Sequence, residues 1–179
     1  MLNDAQKQKL LKIARQAIQA YLKEGKPLQV DEKDPVLAQN MGAFVSLHKQ
    51  GNLRGCIGYV EPIKPLIEAV RDVAIEAAFN DPRFQPLEEN ELDKIDIEIS
   101  AMSPLQKITD INKIQVGVHG ILIRKGFYSG LLLPQVATEY KWNKEEFLEN
   151  TCHKAGLPGD AWKKGAEIYI FSAEVFGEK

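Results

Sequence analysis

The spacing of apolar and polar positions predicts three long helices, each with one apolar face. The first runs from Asp4 to Glu24, where apolar residues recur at intervals of three and four. The second begins at Pro65, because proline is favoured at the first position of a helix, and it ends before Pro82. The third begins after Asn143, which has capping-box spacing with Glu146. Each helix therefore has a face that must be buried.

Six runs of alternating or β-branched residues predict strands, and short turns join two pairs of them into hairpins. The predicted strands are Ala43–His48, Leu53–Val60, Ile95–Met102, Gly120–Arg124, Phe127–Leu133 and Glu167–Phe176. A short acidic helix is expected around Glu88 to Leu92, and an irregular connector over Lys26 to Gln39. This order of elements predicts an α+β fold in which a largely antiparallel sheet is flanked by helices.

Length and cysteine content indicate one compact domain that does not depend on disulfides. The 179 residues fit a single domain, or at most two small lobes that share a core. Two cysteines do not make a disulfide framework, so a cytoplasmic location is expected. Cys152 falls on the apolar stripe of the third helix and is predicted to lie in the core.

Charge and missing motifs exclude several functions. The chain has 23 basic and 25 acidic residues, a net charge of -2, so we expect no nucleic-acid binding. We also expect no membrane association, because the longest uncharged run, Gly126 to Thr138, is too short to span a bilayer and contains Pro134. No sequence signature of a phosphate-binding loop, a dinucleotide-binding loop or a zinc site is present, and no metal site is predicted.

The second predicted strand contains the strongest candidate for chemistry. Arg54 and Cys56 are two residues apart, which in a strand places both on one face about 6.6 to 7 Å apart. A guanidinium at that distance favours the thiolate, which is the form that acts as nucleophile or ligand. Gly55 and Gly58 would let a ligand or another backbone come close. The alternative is a small buried cysteine, glycines in a β-bulge, and an arginine paired with a carboxylate.

One histidine is a better candidate base than another. A hairpin turn of two or four residues pairs odd positions of the first strand with even positions of the second, so Val45 and Leu47 should share the face of Cys56. His48 would then lie on the opposite face, which disfavours it as a partner of the thiol. His119 is the better candidate because glycines flank its segment, although it also fits an ordinary loop histidine.

Four further residues complete the predicted site. Glu98 and Ser100 share the face of their strand that carries no isoleucine, and Asp81 and Arg83 lie in a loop fixed by proline. A buried Arg54 would need a carboxylate partner, because an unpaired buried charge costs about 3 to 5 kcal/mol, and Glu98 or Asp81 are the expected partners. Solvated surface carboxylates are the alternative.

At the Leu53–Tyr59 motif the chain resembles the AMMECR-type family, also called protein A of the AmmeMemoRadiSam system. The resemblance extends from about Leu10 to Phe176. Its further blocks are Gly42-Ala43-Phe44-Val45-Ser46-Leu47, Asp81-Pro82-Arg83-Phe84, Ile97-Glu98-Ile99-Ser100, Gly117-Val118-His119-Gly120, Leu133-Pro134-Gln135-Val136-Ala137 and Lys154-Ala155-Gly156-Leu157-Pro158.

The resemblance implies a single AMMECR-type domain over residues 1–179, an α+β fold of two unequal lobes with a cleft at the Leu53–Tyr59 strand. It implies two companions, a Memo-type dioxygenase-fold protein and a radical S-adenosylmethionine protein. It does not indicate which reaction takes place, and the cofactor is unknown. Two hypotheses follow. The first is an enzyme or small-ligand site in which Cys56 is nucleophile or ligand, Arg54 holds negative charge, and His119 or Glu98 moves a proton. The second is a non-catalytic scaffold that docks its companions through the same cleft.

Overall fold

The computed structural model describes residues 1–178 and has the expected α+β composition. The helices are α1 (Asp4–Glu24), α2 (Leu66–Phe79), α3 (Pro134–Glu139) and α4 (Lys144–Lys154). The strands are β1 (Ala43–Lys49), β2 (Asn52–Tyr59), β3 (Ile95–Met102), β4 (Gln106–Ile108), β5 (His119–Lys125), β6 (Tyr128–Leu132) and β7 (Glu167–Gly177). The strand ladders β1–β2, β1–β3, β4–β7, β5–β6 and β5–β7 are antiparallel, and helices flank them. The predicted fold class is confirmed.

The chain divides into two compact units. The first unit comprises Met1–Met102 together with the C-terminal stretch that begins at Glu174, and the second comprises Ser103–Ala173. The chain passes between them twice, so the second unit is an insertion in the sequence of the first. The cleft expected between two lobes, and the assignment of the whole chain to one domain, stay predictions.

In the first unit, helices α1 and α2 cover one face of the strands β2, β1 and β3. Along β1, the fully buried Val45 and Leu47 alternate with the half-buried Ser46 and His48. The buried positions form the inner face of the sheet and pack on the helices. Inner-face and helical residues share one apolar cluster: Leu10, Ala14, Ile18, Val45, Leu47, Val70, Ala74, Ile97 and Ile99. The half-buried positions form the outer face, which carries the polar residues.

Local signals in the sequence fix the ends of the first helix. The side chain of Asn3 accepts a hydrogen bond from the backbone N–H of Gln6 at 2.8 Å, and the Gln6 side chain accepts one from the backbone N–H of Asn3 at 2.9 Å. This capping box satisfies two donors that the first helical turn leaves unpaired. Gly25 ends the helix in the left-handed region with φ 64°, a conformation that glycine adopts without strain.

The β1–β2 hairpin begins as predicted and contains a β-bulge next to Gly55, which the sequence analysis gave only as an alternative for this strand. At the turn, Lys49 pairs with Asn52 and His48 pairs with Leu53, as a two-residue turn requires. The register then shifts by one residue, so that Leu47 pairs with Gly55. The extra residue is Arg54, which follows Leu53 and has no pairing partner on β1.

This bulge overturns the predicted pairing of odd positions with even positions. Beyond it, Ser46 pairs with Cys56 and Val45 pairs with Ile57. A shift of one residue exchanges the two faces of a strand, because side chains alternate with a period of two. Cys56 therefore shares the outer face with Ser46, not with Val45. His48, which the sequence analysis placed on the opposite face, lies two residues from Ser46 on that same outer face.

The second unit has β7 at its centre, with β4 on one side and β5 followed by β6 on the other. Helix α4 begins at the expected Asn143 capping box and buries Phe147 and Cys152, which confirms the core position of that cysteine.

Two short elements, α3 and β4, were not predicted. The predicted acidic helix is a 3-10 helix over Glu89–Lys94. Within residues 1–178, the helices are too short or too polar to cross a membrane.

Candidate functional site

Three polar side chains from three strands form a row on the outer face of the first unit. Cys56 on β2 lies opposite Ser46 on β1, and Ser46 lies opposite Glu98 on β3. The Ser46 hydroxyl donates a hydrogen bond to the Cys56 sulfur over 3.1 Å. Directly opposed residues of antiparallel strands have Cβ atoms about 4.5 to 5.5 Å apart, so Glu98 and Ser46 are direct neighbours on this face. We call Cys56, Ser46 and Glu98 the polar row.

Two neighbouring rows flank the polar row. On one side, Gly58 lies opposite Phe44, which lies opposite Ser100. On the other side, His48 lies opposite Asp96. The outer face thus collects the predicted Glu98 and Ser100 with Cys56. It also adds Ser46, which the sequence analysis did not consider, and His48, which was set aside because the face assignment used a register without the bulge.

The backbone of Cys56 is held by a buried carboxylate and an arginine. Its N–H donates to Oδ2 of Asp81 over 3.0 Å, and its carbonyl accepts from the Arg83 guanidinium over 3.3 Å. Because β2 pairs on one side only, with β1, these groups would otherwise be an unpaired sheet edge. Arg83 also donates to both carboxylate oxygens of Asp81, over 3.0 and 2.8 Å. Asp81 and Arg83 therefore hold the backbone of Cys56 on both sides of its Cα atom, and we call this pair the clamp.

Charge stabilises this clamp. The side chain of Asp81 is 2% exposed, whereas that of Arg83 is 56% exposed. Hydrogen bonds from the Arg83 guanidinium outweigh the desolvation penalty, and together with the backbone N–H of Cys56 they hold the pKa of Asp81 well below its usual range. Asp81 is therefore ionised at neutral pH, which makes its hydrogen bond to Cys56 a charge-assisted one.

Arg54 does not have the partner that was predicted. Its guanidinium donates to both oxygens of Glu91, over 3.1 and 2.9 Å, and Lys49 donates to the same carboxylate over 2.7 Å. The expected partners were Glu98 and Asp81. Arg54 is the extra residue of the bulge, and its side chain reaches the same carboxylate as Lys49 near the turn end of the hairpin. The hydrogen bonds from Arg54 and then Lys49 lower the pKa of Glu91 from 4.5 to about 2.

The two glycines of the motif lie where neighbouring backbone comes close. A Cβ at Gly55 would overlap the carbonyl oxygen of Ala77 in α2. A Cβ at Gly58 would overlap the backbone of Ala43 and the side chain of Phe44 on β1. Both glycines therefore allow close approach of protein backbone, which holds β2 against α2 and β1.

His119 belongs to the second unit, at the start of β5. Its Nδ1 accepts a hydrogen bond from the backbone N–H of Gln115 over 3.1 Å. In the neutral ring the proton is then on Nε2, which is left as a donor. Gly117, with φ 87°, makes the tight turn that leads into this segment.

The polar row offers a thiol, a hydroxyl donor and a carboxylate acceptor within one patch. The hydroxyl donates to the sulfur, and a carboxylate can accept a proton from a reacting group. Among residues 1–178, no group of three or more histidine, cysteine or acidic side chains is arranged to hold a metal ion. The thiol, hydroxyl and carboxylate of the polar row are the groups that thiol chemistry or the binding of a polar ligand would use.

Comparison with known proteins assigns the chain to a family. The AMMECR1 family model matches residues 11–176. A protein of Methanothermobacter thermautotrophicus is 49% identical over 177 residues, covering 94% of this chain and 92% of the relative. A protein of Methanopyrus kandleri is 48% identical and covers 95% and 87% of the two chains. The crystal structure of an uncharacterised protein from Pyrococcus horikoshii matches with a TM-score of 0.79 and 44% identity, over 96% of this chain and 90% of that one. The chain belongs to the AMMECR1 family.

Proposed function

We propose that the chain carries a cysteine-centred site for a small ligand or substrate on the outer face of its first unit. Cys56 is the nucleophile or ligand-contacting group, Ser46 stabilises its thiolate, and Glu98 accepts a proton from the bound molecule. The observation that carries the proposal is the 3.1 Å hydrogen bond from Ser46 to the Cys56 sulfur, in a row that ends in a carboxylate.

The fixed backbone of Cys56 supports this proposal. A reactive group is effective when surrounding contacts hold it within a fraction of an ångström, and here two ionised side chains bind one peptide. Asp81 is buried where it makes these contacts. Burial of a carboxylate is unfavourable on its own, and the hydrogen bonds from Arg83 and from the Cys56 backbone offset that cost. In the proposal, Arg83 has a second role, because its exposed guanidinium is available to an anionic substrate.

The remaining candidates take supporting roles in the proposal. Arg54 positions the strand through Glu91, and Gly55 positions it through contact with α2. Gly58 and Ser100 line the neighbouring row on the outer face. His119, in the second unit, remains a candidate proton donor through Nε2.

The site is proposed to act with two companions that the family resemblance implies, a Memo-type protein and a radical S-adenosylmethionine protein. The alternative function is a non-catalytic module that docks these companions. Exposed apolar side chains in the second unit favour the alternative, because such groups are enriched at interfaces: Val118, Phe127, Tyr128 and Tyr140. The thiol experiment below distinguishes the two functions.

Alkylation with iodoacetamide at neutral pH, followed by peptide mass spectrometry, tests the proposed site. We expect Cys56 to react faster than a free thiol such as glutathione, because the Ser46 hydroxyl donates to its sulfur and Asp81 and Arg83 fix its backbone. Cys152 is an internal reference, since it is fully buried and burial raises the pKa of its thiol. It should stay protected while the protein is folded.

Two pairs of variants attribute the reactivity to the polar row. Ser46→Ala should slow alkylation of Cys56 at least about threefold, because the thiolate loses a donor. Ser129→Ala is the matched control, since Ser129 is exposed on β6. Glu98→Gln should alter the pH dependence of the rate, whereas Glu89→Gln, at an exposed position, should not. If Cys56 reacts no faster than glutathione and Ser46→Ala leaves its rate unchanged, the docking function is favoured.

A further inference from the structure

Strand β2 also borders a cavity, which lies on the inner face of the strand, opposite to Cys56. The cavity has a volume of about 610 Å³ and lies between the end of α1, strand β2 and helix α2, wholly within the first unit. Sites for small organic molecules have volumes of roughly 300 to 1,000 Å³. Ile57 and Tyr59, which complete the motif after Cys56, line it.

Apolar side chains form most of the cavity wall. Tyr21 and Pro27 contribute from the end of α1 and the connector, Ile57 from β2, and Val73 from α2. The ring of Tyr21 is held in place by the ring of Phe79, with the centroids 4.9 Å apart. Such walls favour an aromatic or branched aliphatic body, because burying apolar area is the main driving force for binding such a molecule.

Polar residues also line the cavity: Lys64, Asp72 and Glu76. The hydroxyl of Tyr59, a further lining residue, is buried and has no hydrogen-bond partner among residues 1–178. Lys64 donates one hydrogen bond to Asp72 over 2.6 Å. An ammonium has three N–H groups, so Lys64 keeps donors for another acceptor. A buried hydroxyl without a partner is rare in folded proteins and calls for one.

Electrostatics keep these groups in their donor forms. Burial raises the pKa of Tyr59, so the phenol is neutral at physiological pH. The hydrogen bond to Asp72 raises the pKa of Lys64, so its amine is protonated. Asp72 is shared with Arg71, which donates to it over 2.7 Å, so two cations offset its negative charge. Glu76 also lines the cavity and adds a carboxylate, so a neutral carbonyl oxygen meets less repulsion here than a carboxylate.

We propose that this cavity binds a small, mainly apolar molecule whose carbonyl or carboxylate oxygen accepts hydrogen bonds from Tyr59 and Lys64. The apolar body lies against Tyr21, Ile57 and Val73. This site is separate from the polar row and does not require Cys56, because the two lie on opposite faces of β2.

Titration of the isotopically labelled full chain with benzoate and with benzamide, followed by amide NMR spectra, tests the proposal. The two probes share an aromatic body, and comparison of them distinguishes a carboxylate from a neutral carbonyl. We expect saturable shifts at Gly25, Ile57 and Val73 with at least one probe below about 10 mM, the weak range typical of fragments of this size. Tyr59→Phe should weaken binding at least about threefold, because the substitution removes the hydroxyl that donates to the ligand oxygen and keeps the ring.

The matched control is Tyr128→Phe, which removes an exposed hydroxyl in the second unit and should leave the affinity unchanged. The Tyr59→Phe variant keeps its ring, and its amide spectrum reports whether it is folded. The proposal is overturned if neither probe produces saturable shifts at the cavity. It is also overturned if Tyr59→Phe binds as tightly as the unaltered chain, because the hydroxyl then contributes nothing. Successful binding leaves the thiol proposal untouched, since alkylation of Cys56 is measured without either probe.

Discussion

Replacement of Glu91 by glutamine tests whether one carboxylate holds the turn end of the β1–β2 hairpin. Glu91 accepts hydrogen bonds from Arg54 and Lys49, and its own side chain is 12% exposed. Glutamine has nearly the same shape but no charge. The substitution therefore leaves the Arg54 guanidinium, which is 14% exposed, without its ionic partner. One of its nitrogens, NH1, is already buried without a hydrogen-bond partner among the described residues.

The pKa of Glu91 sets the size of the expected loss. The drop from 4.5 to about 2 corresponds to roughly 3.5 kcal/mol at most, at about 1.4 kcal/mol for each tenfold change in proton affinity. Lys49 is 35% exposed, so water screens its share of the interaction. Loss of a partner from a fully buried pair costs about 3 to 5 kcal/mol, which this half-buried site does not reach. We expect Glu91→Gln to lower the free energy of unfolding by about 2 kcal/mol at pH 7.

Urea unfolding at pH 7 and at lower pH measures this loss. Because the folded-state pKa of Glu91 is depressed, its stabilisation is complete above about pH 4.5 and is lost as the pH falls towards 2. The difference between Glu91→Gln and the unaltered chain should therefore shrink over that range. Glu89→Gln is the matched control, in the same 3-10 helix but exposed. A loss below about 0.5 kcal/mol at pH 7, or a difference that does not change with pH, would refute the reasoning.

Three other substitutions have defined outcomes. Gly55→Ala should destabilise the protein by about 2 kcal/mol or more, because its Cβ would overlap the Ala77 carbonyl; an unchanged thermal midpoint would contradict this. Asp81→Asn should cost about 1 to 2 kcal/mol and speed hydrogen exchange at the Cys56 amide, and unaltered exchange would exclude the clamp. Gln50→Gly should stabilise by up to about 1 kcal/mol in urea unfolding, because Gln50 has φ 53°; destabilisation would mean that its side chain matters more than its backbone.

Long periodic segments could be predicted from the sequence, and short ones could not. Helix α1 has the predicted bounds because a capping box and a terminal glycine fix both of its ends. Helix α3 has six residues, fewer than two turns, so no apolar period can reveal it. Strand β4 has three residues and is defined by its pairing with β7, a contact between residues about sixty positions apart. Such pairing is a tertiary property that a local pattern does not encode.

The candidate site was also predicted only in part, because features within one strand could be predicted and contacts between strands could not. The sequence indicated Cys56 and Glu98 as candidates, and it placed Glu98 and Ser100 on one face correctly, because period-two alternation is local to a single strand. It did not give the partners of Cys56 and Arg54, since these depend on the register between strands. One bulged residue changes that register. Ser46 therefore became the neighbour of the thiol, and Glu91 became the partner of Arg54.

Strand β2 is the common support of both proposed sites, which determines how variants should be interpreted. Its outward side chain Cys56 belongs to the polar row, and its inward side chains Ile57 and Tyr59 line the cavity. The Asp81–Arg83 clamp acts on the backbone of the strand, so its loss should disturb both sites together. Ser46→Ala and Tyr59→Phe each remove one hydroxyl from one face. Independent effects of these two, combined with a shared effect of Asp81→Asn, are what a rigid strand with two functional faces requires.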